Sequence, residues 1–164
     1  MFPDNNCGAT ISPCGKYRFG LHRIWDRSKP FVYFVMHNPS TADSLLDDPT
    51  IRRCIGFAKS WGYGGIYVGN LYSYRATDPK ELLNKSLDEL TCEQQFEYHR
   101  EMIDICQLHV LAYGNPISKE DFPIAFDDTW HCLKLTKAGN PCHPLYLKSD
   151  LKPLNFNLLH ISYR

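Results

Sequence analysis

The chain has 164 residues, of which 43% are hydrophobic and 22% are charged, and its Lys plus Arg and Asp plus Glu counts are both 18. This length and composition predict one soluble globular domain over residues 1–164 and exclude a disordered chain. The longest apolar run, Phe31 to Met36, is too short for a membrane span, and the zero formal charge gives no general attraction to phosphate. The first residues lack a secretory pattern, so we expect a cytoplasmic protein with seven reduced cysteines.

The first third of the chain predicts two strands and a helix. Residues 1–16 contain prolines, glycines and short polar residues, which predicts an irregular lead-in. Tyr17 to Trp25 alternates roughly between polar and apolar positions and predicts an exposed or edge strand. Phe31 to Met36 is apolar throughout, as is typical of a strand buried on both faces of a parallel sheet. Asp48-Pro49 predicts a helix start, with Asp48 as the N-cap, and Gly62 its end.

The rest of the chain alternates strands with helices. Ile66 to Val68 and Val110 to Tyr113 predict buried strands, and Leu133 to Leu135 is a fourth candidate. Leu87 to Gln107 predicts one long helix, and 116–130 a short one. This alternation predicts a three-layer α/β/α sandwich with a mainly parallel central sheet of about four strands, plus the N-terminal edge strand.

Polar clusters follow the predicted strands, which is where α/β sheets bind ligands. The clusters are His37-Asn38-Pro39-Ser40, Asn70 with Arg75, Gly114-Asn115-Pro116 and Cys142-His143-Pro144. Since the carboxyl ends of parallel strands share one edge of a sheet, these four loops are expected to form one pocket. The following proline restricts the backbone of both Asn38 and His143 to extended conformations.

The side chains in these loops suit a nucleobase. The carboxamide of Asn70 both donates and accepts hydrogen bonds, which matches the edge of a uracil- or thymine-like base. Arg75 is a candidate ligand for phosphate, and Tyr72 or Tyr74 is a candidate stacking partner. Asp43 is an open candidate for a general base. Structural roles are alternatives to these ligand-binding roles. The tyrosine side chains also suit the hydrophobic core, and Asn38-Pro39-Ser40 also suits a simple turn.

Metal binding is an alternative use of the cysteines and histidines. Soft ligands that suit zinc occur at Cys7, Cys14, Cys132, Cys142 and His143. No Cys-x-x-Cys pair occurs, however, so we expect neither a metal nor another cofactor. A cysteine nucleophile is a weak alternative, because the side chains of adjacent residues such as Cys142 and His143 seldom face each other.

Long stretches of the chain resemble the DUF1643 family, a group of mainly bacterial and phage proteins named for lacking an assigned function. The matching stretches are Tyr17–Trp25, Phe31–Asp43, Asp47–Gly65, Asn70–Leu82 and His143–Leu147. Three pieces are highly specific: Asn-Pro-Ser-Thr-Ala-Asp, Asp-Asp-Pro-Thr-Ile-Arg-Arg-Cys-Ile-Gly-Phe-Ala-Lys and His-Pro-Leu-Tyr-Leu. One departure is His37, which stands where the family more often has Leu.

A more distant resemblance is to the uracil-DNA glycosylase superfamily. There too a buried strand ends in Asp-Pro or Asn-Pro, as at Asn38-Pro39, and a later strand ends in an Asn that reads the base edge, similar to Asn70. A final His-Pro loop resembles His143-Pro144. The resemblance implies a glycosylase-like fold and cleavage of an N-glycosidic bond. In that chemistry Asn38 would orient a water, and His143 would stabilise the departing base anion.

We therefore expect a nucleobase-recognising protein that acts as a DNA or nucleotide N-glycosidase-like hydrolase on a uracil/thymine-like or modified base. The catalytic candidates are Asn38, His143 and Asp43, and the substrate-binding candidates are His37, Ser40, Asn70, Tyr72, Arg75, Asn115 and Tyr146. The alternative is a non-catalytic module that sequesters a nucleotide or modified base. A third interpretation, a protein-interaction domain without a pocket, requires the four loops to diverge. We expect no membrane partner, and the sequence defines no oligomeric state.

Overall fold

Seven strands and three α-helices make up the fold in a computed structural model that describes residues 5–40, 42–43, 45–117 and 126–157. The strands are β1 (Cys7–Ile11), β2 (Arg18–Ile24), β3 (Phe31–Met36), β4 (Gly65–Asn70), β5 (Leu108–Leu111), β6 (Trp130–Cys132) and β7 (Leu154–Asn155). The α-helices are α1 (Pro49–Ser60), α2 (Leu87–Leu90) and α3 (Glu93–Ile105), and short 3₁₀ turns cover Pro79–Asn84 and Pro144–Tyr146.

The strands form one mixed sheet in the order β1-β2-β4-β3-β5-β6-β7. The neighbours β4-β3, β3-β5 and β5-β6 are parallel, whereas β1-β2, β2-β4 and β6-β7 are antiparallel. The α/β class is therefore confirmed. The prediction of a mainly parallel sheet of about four strands is wrong, because three antiparallel pairings extend the sheet at both sides.

The N-terminal region differs most from the prediction. Residues 7–11, predicted to be irregular, form the edge strand β1, which pairs with β2 from Cys7↔Arg23 to Ile11↔Arg18. The predicted edge strand lies inside the sheet instead, between β1 and β4, and six of its seven residues are buried. The hairpin gives β2 a neighbouring strand on each side, and two of its polar residues, Arg18 and Arg23, are buried.

Helices cover both faces of the sheet. Every residue of β3 is buried, and its side chains alternate between the two faces. Val32, Phe34 and Met36 pack in the cluster that contains the apolar residues of α1, while Phe31, Tyr33 and Val35 pack in the cluster that contains Met102 of α3. The pair β3-β4 runs in register from Phe31↔Gly65 to Met36↔Asn70, so these two strands end side by side.

The predicted long helix is interrupted. Thr91 and Cys92 adopt extended conformations between α2 and α3. The carbonyl of Leu90 accepts hydrogen bonds from the backbone N–H groups of Ser73 and Tyr74, at 2.9 and 3.2 Å, and these long-range bonds anchor the helix end to the segment after β4.

Strand β6 begins three residues before its predicted position, and most of the predicted short helix over 116–130 lies outside the described residues.

The prediction for α1 is confirmed. Pro49 begins the helix, and the Asp48 carboxylate accepts a hydrogen bond from the N–H of Ile51 at 2.8 Å. The buried residues of this helix are Ile51, Cys54, Phe57 and Ala58. Of the helices in the described part of the chain, none is both long and apolar enough to cross a membrane.

Candidate active site

A cavity of about 520 Å³ lies where β3 and β4 end, which is within the usual range of roughly 300–1,000 Å³ for small-molecule sites. Residues from all four predicted loops line it, together with the start of β2 and the first turn of α1. Seven predicted site residues are among the lining residues: His37, Asn38, Ser40, Asn70, Asn115, His143 and Tyr146. The loops therefore converge, contrary to the interpretation of a domain without a pocket.

Asn70, the last residue of β4, presents an unused carboxamide to this cavity. The residue is 1% exposed, and neither Nδ2 nor Oδ1 has a hydrogen-bond partner among the described residues. Its backbone is held firmly, because its carbonyl accepts from Gln95 Nε2 at 2.8 Å and pairs with His99 Nε2 at 2.9 Å. The fold thus fixes the position of Asn70 while leaving its side-chain donors and acceptor free.

A buried polar network on the opposite face of the sheet provides that anchor. Burial lowers the pKa of His99 to about 4, so its imidazole is neutral at pH 7. One nitrogen, Nε2, then donates to the Asn70 carbonyl, and Nδ1 accepts from the Tyr33 hydroxyl. A side chain at Gly69 would place its Cβ 2.1 Å from Tyr33 Oη, so a larger residue would force the Tyr33 side chain to move. The sequence prediction missed this network, whose residues lie on separate elements.

Asn38 and His37 form a hydrogen-bonded pair at the end of β3. The Asn38 amide nitrogen donates to the carbonyls of Pro39 and Ala76, at 3.1 and 2.9 Å. Its Oδ1 must then accept from Nδ1–H of His37, at 3.1 Å. Burial lowers the pKa of His37, so the neutral ring keeps an unprotonated Nε2, which is buried and has no partner among the described residues. Asn38 therefore orients His37, and His37 offers a proton acceptor to the cavity.

His143 contributes a donor from another loop that lines the cavity. Its Nδ1 accepts from the N–H of Leu145 at 3.3 Å, and burial lowers its pKa, so the neutral ring carries its proton on Nε2. Gly114 lies beside it with a φ of +74°, a conformation that favours glycine, and donates its N–H to the carbonyl of Pro141 at 2.8 Å. This bond joins the loop after β5 to the loop that carries His143.

Three other lining residues have structural or peripheral positions. Oδ1 of Asn115 accepts from Asn140 Nδ2 at 3.0 Å and from Thr136 Oγ1 at 3.3 Å, which ties its loop to the turn before His143. Tyr146 is 88% exposed at the cavity mouth, so its ring is available to stack on a ligand. Ser40 lines both this cavity and a neighbouring depression of about 230 Å³.

The remaining three predicted site residues lie outside the cavity. The Asp43 carboxylate accepts from the N–H groups of Leu45 and Leu46, both at 2.8 Å, and these bonds lower its pKa and make it a weak base. Tyr72 is buried, with its ring edge-on to His37 at a centroid distance of 5.4 Å. Arg75 lines the neighbouring depression and donates to the Gly15 carbonyl at 3.2 Å.

Arg18 lines the cavity and was not among the predicted residues. It is 3% exposed, Nη1 donates to the carbonyl of Ala42, and Nε has no partner in the described part of the chain. Burial lowers its pKa to about 10, a shift opposed by the negative charge of Asp48, so the guanidinium is charged at neutral pH. The signal that pointed to the other loops, a polar cluster after a strand, is absent here, because Arg18 begins its strand.

The cysteines are all free thiols. Burial raises the pKa of Cys142, so the thiol beside His143 is protonated at neutral pH and is a poor nucleophile. Within the described ranges, no three His, Cys, Asp or Glu side chains are grouped so that they could hold a metal ion.

The family model described as "Protein of unknown function (DUF1643)" matches residues 18–145. That match spans well over half of the chain, which therefore belongs to the DUF1643 family. No curated protein and no solved structure matches the chain. The resemblance to the uracil-DNA glycosylase superfamily remains a prediction.

Proposed function

We propose that this protein recognises a nucleobase and hydrolyses its N-glycosidic bond, in DNA or in a free nucleotide. The observation that carries the proposal is the unpartnered carboxamide of Asn70, 1% exposed and fixed at the cavity. A buried amide with no partner is unfavourable in the free protein, and a uracil- or thymine-like edge supplies both the donor and the acceptor that it lacks. Because Asn70 is so deeply buried, the ligand must displace side chains that now cover it.

The two histidines suit the chemistry of base removal. Breaking the bond between the sugar C1′ and the base nitrogen leaves positive charge on the sugar and the electron pair on the base. We assign the developing base anion to His143, whose Nε2–H is a neutral donor to a ring carbonyl oxygen. We assign the attacking water to His37, whose Nε2 accepts the water proton as oxygen bonds to C1′. Asn38 orients this imidazole, so its proposed role is positioning.

The order of the motifs supports the proposed likeness to the uracil-DNA glycosylase superfamily. Asn38-Pro39, Asn70 and His143-Pro144 follow one another along the chain and contribute Asn38, Asn70 and His143 to one cavity. Tyr146 at the mouth suits stacking on the sugar or a neighbouring base. The zero net charge favours a nucleotide or a weakly held strand over a tightly bound duplex.

The test is to incubate the protein with oligonucleotides that contain uracil, a mismatched thymine or a hypermodified pyrimidine, and with dUMP and dUTP, and to detect free base by mass spectrometry. We expect base release from one of these classes, reduced about a hundredfold or more in His143→Ala and in His37→Ala. His131→Ala is the matched control, because that histidine bonds to the Thr129 carbonyl outside the cavity. No release from any substrate by the folded protein would overturn the hydrolase.

A non-catalytic base-binding module is the second candidate. Two hydrogen-bonding observations favour it. Both amide hydrogens of Asn38 are already donated to backbone carbonyls. Asp48 is the carboxylate among the described lining residues, and it caps α1. Calorimetric titration with the same nucleotides separates the two functions. Binding that depends on Asn70, without release of base, would establish the module.

A further inference from the structure

The two buried arginines of β2 have very different surroundings. Arg23 forms an ion pair with Asp47 at 2.8 Å and also donates to the carbonyl of Asp43 at 2.8 Å. Arg18 is buried to the same degree, yet in the described part of the chain no carboxylate lies within ion-pair distance of it and its Nε has no partner. A buried charge without a close ion-pair partner is unfavourable, and the more distant charge of Asp48 offsets this only in part, so the fold retains Arg18 at a cost to stability.

The antiparallel pairing of β2 with β4 brings Arg18 to the end of β4. Leu21 pairs with Val68, so Arg18, three residues earlier, lies toward the carboxyl end of β4, where Asn70 is. The backbone N–H of Arg18 donates to the carbonyl of Ser73 at 2.9 Å, which fixes it there. Both side chains line the same cavity.

We propose that Arg18 is the anion-binding group of this cavity, and that the ligand presents a negatively charged oxygen beside the edge that Asn70 reads. The inference rests on the proposed function and narrows its substrate class to acidic nucleobases. The charge comes either from an acidic substituent on the ring or from ionisation of the ring imide. In the hydrolysis proposed above, the base leaves as an anion whose charge spreads onto its ring oxygens, and Arg18 stabilises that charge.

The other charges at the cavity are consistent with a single anion. Burial keeps His37 and His143 neutral at pH 7, because it lowers the pKa of both rings. Asp48 lines the same cavity and caps α1 by accepting a hydrogen bond from Ile51, and its negative charge offsets part of the charge of Arg18. Arg18 is therefore the fixed positive charge among the described lining residues.

The test is calorimetric titration at pH 7.5 with 5-carboxyuracil and its neutral counterpart 5-carbamoyluracil. Wild type is expected to bind the carboxylate at least tenfold more tightly, and Arg18→Met to bind both equally. The matched control is Arg52→Met, which removes an exposed arginine of α1 that does not line the cavity and keeps the preference. Arg18→Lys retains the positive charge but lacks the planar guanidinium, and it is expected to keep part of the preference for the carboxylate. This variant shows whether a loss of binding in Arg18→Met comes from the missing charge or from a folding defect.

A second arm separates the two sources of charge. Uracil and 5-fluorouracil are titrated across pH 6 to 9, because the imide of 5-fluorouracil is the more acidic of the two. If 5-fluorouracil binds more tightly as pH rises, and Arg18→Met removes this effect, the charge belongs to the ring. Equal affinity for charged and neutral bases, or a preference that survives Arg18→Met, overturns the role of Arg18 and leaves nucleobase binding intact. If inorganic phosphate is the only probe that binds, and Arg18→Met abolishes its binding, the nucleobase function is overturned and the anion site stands. No binding of any probe overturns both.

Discussion

Replacing Asn70 with Leu is expected to stabilise the ligand-free protein. In most buried positions an Asn side chain is hydrogen-bonded, and its replacement by an apolar residue destabilises the fold. Here neither Nδ2 nor Oδ1 has a partner among the described residues, and Met36, Ile51 and Val68 line the same cavity. Leu has the same branching and the same number of side-chain heavy atoms as Asn, and it removes both unsatisfied groups.

The magnitude follows from the penalty for a buried, unpaired polar group, which is about 1–3 kcal/mol. We expect the free energy of unfolding of Asn70→Leu to exceed that of wild type by an amount in that range. For a chain of this length, about 2–4 °C in Tm accompanies each kcal/mol, so Tm rises by several degrees. Urea unfolding and calorimetry of the free proteins measure both quantities, and titration with the nucleotides measures the expected loss of binding.

Asn115→Leu is the matched control, because the carboxamide oxygen of Asn115 accepts hydrogen bonds from Thr136 and Asn140. That variant is expected to lose about 0.5–1.5 kcal/mol. If Asn70→Leu is destabilised to the same extent as Asn115→Leu, the Asn70 amide is satisfied in the free protein. The argument that it is reserved for a ligand would then be wrong.

Three further predictions concern the residues that support the site. The His99 pKa is about 4 in the folded protein and about 6.5 when unfolded, so the unfolded state binds more protons between these values and stability falls as pH drops through that window, by about 3 kcal/mol. Urea melts at several pH values should show this slope in wild type, and an equal slope in His99→Gln would contradict it. Gly69→Ala is expected to lose about 1–3 kcal/mol because its Cβ would collide with the Tyr33 hydroxyl, whereas Gly56→Ala, with open space at its Cβ in α1, should be neutral or stabilising by thermal melting. Asp48→Ala should lose about 1 kcal/mol with the cap on Ile51, and Asp48→Asn should retain most of it; equal losses in chemical denaturation would show that charge rather than capping matters.

The convergence of the four loops was predictable because it depends on strand direction alone. The strands β3, β4, β5 and β6 are parallel, so the residues that follow them meet at one edge even though the boundaries of β5 and β6 were misplaced by two or three residues. The position of Asn70 at the cavity was also predictable, since an Asn that follows an apolar strand lies at the edge of the sheet where ligands bind, with an amide that both donates and accepts. Its lack of any partner was not, because that depends on which side chains from other elements reach it.

The contributions of β2 and of the His37 ring were beyond sequence reasoning for a different reason. A residue at the start of an antiparallel strand reaches the same sheet edge as residues at the ends of parallel strands, but only the pairing β2-β4 reveals it. Asn38 carries the motif, yet its hydrogen bonds to Pro39, Ala76 and His37 use its amide group and leave Nε2 of His37 as the buried atom without a partner. Sequence spacing identifies the loop, and the local hydrogen bonds decide which atom faces the cavity.

The unsatisfied polar atoms of this protein are concentrated rather than scattered. Seven buried side-chain nitrogen or oxygen atoms in the described residues have no partner, and four of them belong to Arg18, His37 and Asn70. Each such atom destabilises the free fold, so a fold shaped by stability alone would distribute or remove them. Their collection around one cavity, on three different strands or strand ends, is explained if a single ligand satisfies them together. A ligand that provides an acceptor for Arg18 and a paired edge for Asn70, and that brings the attacking water to His37, is a small polar heterocycle, which is the class that the proposed function requires.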